Sequence, residues 1–430
     1  MFHPQNIMSK STERIDRVIK QLENNLHKES LVDGSFGIKD DLLLSVIIPA
    51  RNEFPNIVHT YHSIMNCIEA DGIDPREVEV IIVNNTSEPW NDPKYDWTKP
   101  GDRGTVEYLM PRGGYWSRNL RVMYDPIAGN HSARNKGAKI ARGKYLFISD
   151  AHMSYKPGFF KIMLKTIDET GGLFHGSIAW MGAYPPHDGG VGTQYTIKLG
   201  EEIKGTWANY RPWNGDWFYI FGLGHCSVGV RRGQFLAFGG YPDVHRTYGG
   251  GEFFVDALWW MMGSSVATHP DAIGYHLASS RGYSYNHDDY IENVLGMSYA
   301  LGMDDWRERT YINYLRRGRK EVLDKIMERN EKEYAERRDR VLAERKFSFN
   351  EILIDRPWDK LNYQKGGTSN SSLLIFHQTW LDLLLKDGGQ ALDYYKKSKY
   401  QKGLEDFILS NLKAHVYKYE EYKETTIPWQ

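Results

Sequence analysis

Three short apolar runs constrain this chain more than any other feature: Leu42 to Pro49, Val78 to Val83 and Tyr145 to Ser149. Each has the length of one strand and is rich in branched residues throughout, the pattern of a strand buried on both faces. A helical pattern from about Pro55 to Ala70 separates the first two, and another from Gly129 to Ala141 precedes the third. Strands alternating with helices predict a doubly wound, mostly parallel α/β sheet. Leu120 to Tyr124, Leu173 to Trp180 and Cys226 to Val230 supply further strands, with a helix from Pro157 to Glu169 and a helical turn from Arg231 to Phe238. Gly249-Gly250-Gly251-Glu252 opens a helix running to about Met262, and Val266 to His269 and Ala272 to His276 are short extended pieces.

The third run leads directly into Asp150-Ala151-His152. Side chains repeat every two residues along a strand, so Asp150 and His152 are expected on one side of its carboxyl end. Ligands of open α/β sheets bind at that end. A carboxylate beside an imidazole there can hold a divalent cation such as Mn²⁺. Taken alone, an Asp-x-His is more often a turn cap followed by a packed histidine, so the motif needs its context.

Composition narrows the class. The 430 residues suffice for two or three domains, and a net charge of −1 excludes a molecule that attracts nucleic acid as a whole. Cys67 and Cys226 are too few for a disulfide framework and fit a reducing compartment, here expected to be the cytoplasm. No run of about eighteen apolar residues is present and Met1 to Lys10 lacks a signal-peptide core, so no transmembrane segment is expected. No G-x-G-x-x-G or Walker pattern follows the early strands, which argues against a dinucleotide enzyme or a P-loop NTPase. Three regions follow from these shifts: 1–41, with an amphipathic helix from Ser11 to Leu26 and a linker from Asp33; 42–303, a catalytic domain; and 304–430, a helical C-terminal extension. Trp306 to Lys346, where bases outnumber acids, reads as one or two solvated helices, and Leu373 to Leu385 and Gly403 to Tyr419 as further ones. These helices offer a surface for homo-oligomerisation.

In order, the strand ending at Pro49 leads to Arg51-Asn52-Glu53. Then come Val83-Asn84-Asn85, Ser132-Ala133-Arg134-Asn135, Asp150-Ala151-His152 and Gly250-Gly251-Glu252. This series resembles the family 2 glycosyltransferases of the GT-A fold, a Rossmann-like α/β fold. Within them it is most similar to the polypeptide N-acetylgalactosaminyltransferases, which carry Asp-x-His in place of Asp-x-Asp. The resemblance covers roughly 42 to 300. It implies a metal-dependent transfer of a sugar from a nucleotide-diphosphate sugar, with UDP as the expected nucleotide, to a hydroxyl-bearing acceptor. A glycan, protein side chain, small molecule or modified nucleobase would serve as acceptor. The implied metal ligands are Asp150, His152 and His276, with His269 as runner-up, and the metal is Mn²⁺ or Mg²⁺. Pro49, Arg51, Glu53, Asn84, Asn85, Arg134 and Asp150 match the nucleotide-sugar side. Asn84 or Asn85 stands where the family has an acid that binds uracil. Gly224 and Trp217 fall where the sugar pocket is shaped, and Arg281 falls in a lid segment. Glu252 matches the acceptor-side carboxylate that acts as general base in inverting members. Asp256, one helical turn on, is expected on roughly the same face. A noncatalytic nucleotide-sugar-binding scaffold and a nucleotide-sugar hydrolase are the alternatives. No counterpart of the membrane anchor, disulfides or lectin domain of the polypeptide-modifying enzymes is expected.

Overall fold

In the computed structural model, residues 42–53, 55–85, 120–125, 129–181, 194–199, 203–208, 216–277, 286–315, 318–355, 357–365 and 374–375 are described. The three apolar runs become β1 (Leu44–Ala50), β2 (Val78–Asn84) and β4 (Tyr145–Ser149), almost wholly buried. With β3 (Leu120–Tyr124) they form the parallel half of the main sheet, in the order β3-β2-β1-β4. Helix α1 (Asn56–Ala70) connects β1 to β2, and α2 (Asn130–Ile140) connects β3 to β4 and packs on β1 and β2. The packing is close: a Cβ on Gly137 of α2 would press into the Ile47 side chain of β1.

Beyond β4 the sheet becomes mixed, continuing β10-β6-β11-β5. These are β5 (Met153–Tyr155), β6 (Leu173–Met181), β10 (Ser227–Arg231) and β11 (Val266–Leu277). β10 is antiparallel to both β4 and β6, β11 is parallel to β6, and β5 is antiparallel to β11. The short β9 (Phe218–Tyr219) pairs with the start of β11. Helix α3 (Phe159–Thr170) packs on β6 and β11, and its Phe159 and Phe160 join Phe147 and Tyr155 in an edge-to-face aromatic cluster. A second small sheet contains β7 (Gln194–Leu199), β8 (Ile203–Ala208) and β12 (Leu374–Ile375).

One connection shapes the site. In hydrogen-bond order three strands separate β4 from β5, about 19 Å in a flat sheet. Four Cα steps, from Ser149 to Met153, reach at most about 14 Å. The sheet must therefore curl, and the Ser149 and Tyr155 hydroxyls lie 2.6 Å apart across the curl. The carboxyl ends of β4 and β11 face each other as a result.

After β10 come α4 (Arg232–Phe238) and α5 (Gly251–Met261). Then follow α6 (His287–Ala300), α7 (Asp304–Leu315), α8 (Lys320–Glu333), α9 (Ala335–Glu344), α10 (Phe349–Asp355) and α11 (Pro357–Gln364). The expectation of solvated helices over Trp306 to Lys346 is corrected. Trp306, Ile312, Tyr334 and Val341 belong to the main core, and Tyr314, Leu323 and Ile326 form a satellite cluster with Ile291 and Leu295 of α6. Buried Arg307 and Arg309 lay their guanidiniums over Tyr299 and Trp306, so the charged sequence hides apolar contact. The two extended pieces near His269 and His276 are also one strand, β11, interrupted by an irregularity between His269 and Ile273. The expected helix at Leu373 to Leu385 is corrected at its start, where Leu374–Ile375 form the strand β12; the rest of it and the expected helices at Ser11 to Leu26 and Gly403 to Tyr419 lie outside the described residues.

Candidate active site

Asp150, His152 and His276 converge, with their ligand atoms all within 4.8 Å of one another. The expectation that strand alternation places the first two is corrected: β4 ends at Ser149, and 150–152 form the tight turn into β5. His276 arrives near the end of β11, in register with Met153. Leu277 N–H also donates to the His152 carbonyl at 3.1 Å. Thr60 of α1 braces the turn: its hydroxyl donates to the Ala151 carbonyl and accepts from Met153 N–H, both at 2.9 Å. Ser63, one turn later, accepts from Tyr155 N–H. Sequence reasoning missed both residues, although two hydroxyls spaced i, i+3 on an otherwise apolar helix face were a visible signal.

The ring nitrogens His152 Nε2 and His276 Nε2 lie 3.2 Å apart, and His276 Nε2 is 3.6 Å from Asp150 Oδ2. Two cis ligands on one cation, each with a bond of about 2.1 Å, stand about 3 Å apart. His152 Nδ1 faces Glu53 Oε2 at 3.1 Å. A proton held there by the carboxylate leaves the Nε2 lone pair toward the cluster, the usual arrangement behind a ligating histidine. Burial pushes the Asp150 carboxyl up, but the His276 hydrogen bond and the nearby charges of Arg134 and His152 offset this and hold it well below the ordinary carboxylate range. The donor set, one anionic oxygen and two imidazoles, fits Mn²⁺ or a similar divalent ion.

Arg134 sits behind this cluster. Its guanidinium is buried, donates through Nη2 to Asp150 Oδ1 and to the His225 carbonyl, each at 2.9 Å, and stacks 5.3 Å from the Tyr241 ring centroid. The expectation that it faces the donor is thus revised: it neutralises Asp150 from the protein side. Asn84 and Asn85, at the end of β2, are buried, and Asn85 Nδ2 donates to the Gly129 carbonyl ahead of α2. Pro49 and Arg51 lie at and just past the end of β1, half-buried, and the turn uses Asn52 at φ 57°, a left-handed conformation that asparagine tolerates.

Glu252 lies in the first turn of α5, half-buried, close enough to Arg134 and His225 for its charge to raise the affinity of both for protons. The glycines before it are required by space. A Cβ on Gly251 would strike the His131 ring, and Gly249 and Gly250 take φ 102° and 77°. Asn293 of α6 anchors the preceding loop, accepting from Arg246 N–H and donating to the carbonyls of Arg246 and Tyr248.

Three expectations change. Asp256 does not share an open face with Glu252: it is fully buried, its Oδ1 accepting from His175 Nε2 at 2.8 Å and His225 Nε2 at 3.0 Å. Trp217 donates its indole N–H to Glu169 and packs against Lys365, so its polar contacts lie with that group rather than at Asp150. His269 precedes His276 by seven residues, on the order of 20 Å along a strand, and binds Asp271 N–H instead. Gly224 lies in the buried loop that carries His225, beside the site. Arg281 lies outside the described residues. Among the described residues no helix is long and apolar enough to cross a membrane.

Residues 102–186 match the model of the family described as Glycosyl transferase family 2. No curated protein matches the chain in sequence. Among solved structures, the chain is similar to GalNAc-T7 crystallised with UDP, GalNAc and Mn²⁺, at 17% identity and a TM-score of 0.50, covering 67% of this chain. It spans only 56% of the GalNAc-T7 chain. It is also similar to S. aureus TarS 1–349 in complex with UDP-GlcNAc, at 12% identity and a TM-score of 0.42, covering 76% of this chain and 88% of that one. The mixed, curled sheet flanked by helices is the GT-A fold.

Proposed function

We propose that this chain is a glycosyltransferase that moves a sugar from a nucleotide-diphosphate sugar, with a UDP-sugar as the first candidate, to a hydroxyl-bearing acceptor. The observation that carries this reading is the convergence of Asp150, His152 and His276 at the carboxyl ends of strands in a GT-A sheet. The family match over 102–186 supports it, as does the fold shared with GalNAc-T7, whose crystals contained UDP and Mn²⁺. In this reading Asp150, His152 and His276 hold a divalent cation. Bound there, it supplies positive charge against the diphosphate that leaves.

The protein's own groups divide the remaining work. Glu53 holds His152 in the tautomer that presents Nε2. Arg134 keeps Asp150 ionised. The acceptor oxygen bonds to the anomeric carbon as the bond from that carbon to the diphosphate oxygen breaks, and the hydroxyl proton passes to a base. Glu252 is the carboxylate assigned to the acceptor side; it takes that proton in an inverting transfer and orients the acceptor in a retaining one.

The test is a thermal-shift screen with UDP-, GDP-, CDP- and TDP-sugars, with and without Mn²⁺, on wild type and Asp150→Asn. The asparagine keeps an acceptor for Arg134. A rise in melting temperature for one nucleotide, larger with Mn²⁺ and smaller in the variant, is expected. No rise with any pair rejects the donor-site reading. Nucleotide binding without turnover marks a scaffold, and free sugar released as fast as any transfer marks a hydrolase.

A further inference from the structure

We propose that Asp256 is a positioning residue: from helix α5 it sets the loop 222–226 and, through that loop, the Asp150 carboxylate of the cation centre. The inference rests on the cation reading above and deepens it.

The connection can be followed bond by bond. Asp256 Oδ1 receives His225 Nε2 at 3.0 Å and His175 Nε2 at 2.8 Å, and Oδ2 accepts from Leu223 N–H at 3.2 Å. Gly222 lies so close to this carboxylate that a Cβ there would collide with it. One carboxylate thus binds the loop at Leu223 and His225 and packs directly against Gly222. The far side of the same loop grips Asp150 twice. The Cys226 carbonyl accepts from Asp150 N–H at 3.1 Å, and the His225 carbonyl holds Arg134 Nη2, which also clamps Asp150 Oδ1. His225 Nδ1 lies 2.6 Å from the Tyr241 hydroxyl, and the Tyr241 ring faces the Arg134 guanidinium. Helix α5 carries Glu252 one turn before Asp256, so a single rigid element is tied to both the acceptor-side carboxylate and the cation ligand.

His175, His225 and Asp256 are also a ligand-type set, but their geometry is that of a hydrogen-bonded group. Both imidazoles meet the same oxygen at hydrogen-bond distance, and the other oxygen is used by a backbone N–H. Two Nε2–H donors on one carboxylate leave His225 Nδ1 to accept from Tyr241, in agreement with the observed pair. Aspartate is needed because an asparagine would turn an NH₂ toward one of these three donors.

The test measures Mn²⁺ affinity directly, by electron paramagnetic resonance of free Mn²⁺, for wild type, Asp256→Asn and Val341→Ala. The last is a core truncation in α9 and controls for lost stability. Near-UV circular dichroism reports the fold. Asp256→Asn is expected to weaken Mn²⁺ binding about 10-fold or more with its spectrum retained, and Val341→Ala to leave it within about twofold. Tyr241→Phe, which removes the hydroxyl on the other side of His225, is expected to weaken binding by a smaller factor and stands in if Asp256→Asn does not fold. Wild-type affinity in Asp256→Asn, or in Tyr241→Phe where that variant stands in, overturns this proposal alone. Absence of Mn²⁺ binding in the wild type overturns the cation reading and this proposal together. A metal ion that survives chelation in Asp150→Asn but is lost from Asp256→Asn also overturns it, by making the buried set a second metal centre.

Discussion

Asp150, His152 and His276, and Asp256, His175 and His225, are the same three residue types, each set with its ligand atoms within 4.8 Å. Their surroundings differ. The side chains of the first set are 26%, 21% and 21% exposed, and those of the second 1%, 0% and 0%. In the first set two imidazole nitrogens point at each other across 3.2 Å, an arrangement that invites a cation between them. In the second, both imidazoles close on one carboxylate oxygen. Burial decides what the same chemistry is for. A reachable cluster can exchange a ligand, whereas a sealed one draws its hydrogen bonds from within, because an unpaired polar group without water costs about 1–3 kcal/mol. Here every ring nitrogen of the sealed set but His175 Nδ1 is paired among the described residues. Residue type alone therefore says little about role.

The contrast can be broken from either side. The largest expected effect is on stability at the sealed set: Asp256→Ala strands two imidazoles and a backbone N–H, and should cost about 3–5 kcal/mol in urea unfolding. His276→Ala should move the urea midpoint little, yet lower the rate of sugar transfer by about 10²–10³-fold, read in steady-state kinetics with saturating Mn²⁺. Should both variants behave alike in both assays, the division into open and sealed sets fails. Glu53→Gln keeps an acceptor for His152 but removes its charge; it should weaken Mn²⁺ binding about 10-fold, measured by titration calorimetry, without changing stability.

The smallest effect is in pH dependence. Burial lowers the His225 pKa, a shift that Asp256 only partly offsets. Burial raises the Asp256 carboxyl, but the charges of His175 and His225 outweigh it and lower the net value. For both groups the unfolded chain binds protons more readily than the folded one. Their stabilisation is complete above the unfolded histidine range and is lost as pH falls, His225 first below about 6.5 and Asp256 below about 4. The urea midpoint should drop from pH 7 to pH 5, and less steeply in His225→Asn.

Much of this architecture could be read from the chain. β1, β2 and β4 announced themselves because a strand buried on both faces must be apolar throughout. The Gly249–Gly251 run marked the start of α5 because no side chain fits against His131. Asp150, His152 and His276 also came together in space. What escaped was set by long-range pairing. β5 has only three residues, too few for any periodicity. Asp256 looked like a partner of Glu252 because helical spacing is local, while its bonds run to His175, 81 residues away, and His225, 31 residues away. Glu53 was assigned to the nucleotide, and its contact with His152 spans 99 residues. The charged α7 to α9 region misled for a different reason: arginine stems and tryptophans bury surface that a count of charges does not reveal.

The curl that joins β4 to β5 also sets an order of events on the ribosome. Asp150 and His152 leave the exit tunnel together, but His276 follows 124 residues later, about 6–25 s at ordinary elongation rates. Until β11 is made, β5 has no hydrogen-bonding neighbour among the described strands, and the proposed centre has two of its three proposed ligands. The nascent domain thus passes through a stage in which its parallel half can be complete while the proposed cation centre cannot, so in that reading metal retention would report a chain finished past Leu277 rather than a folded first half.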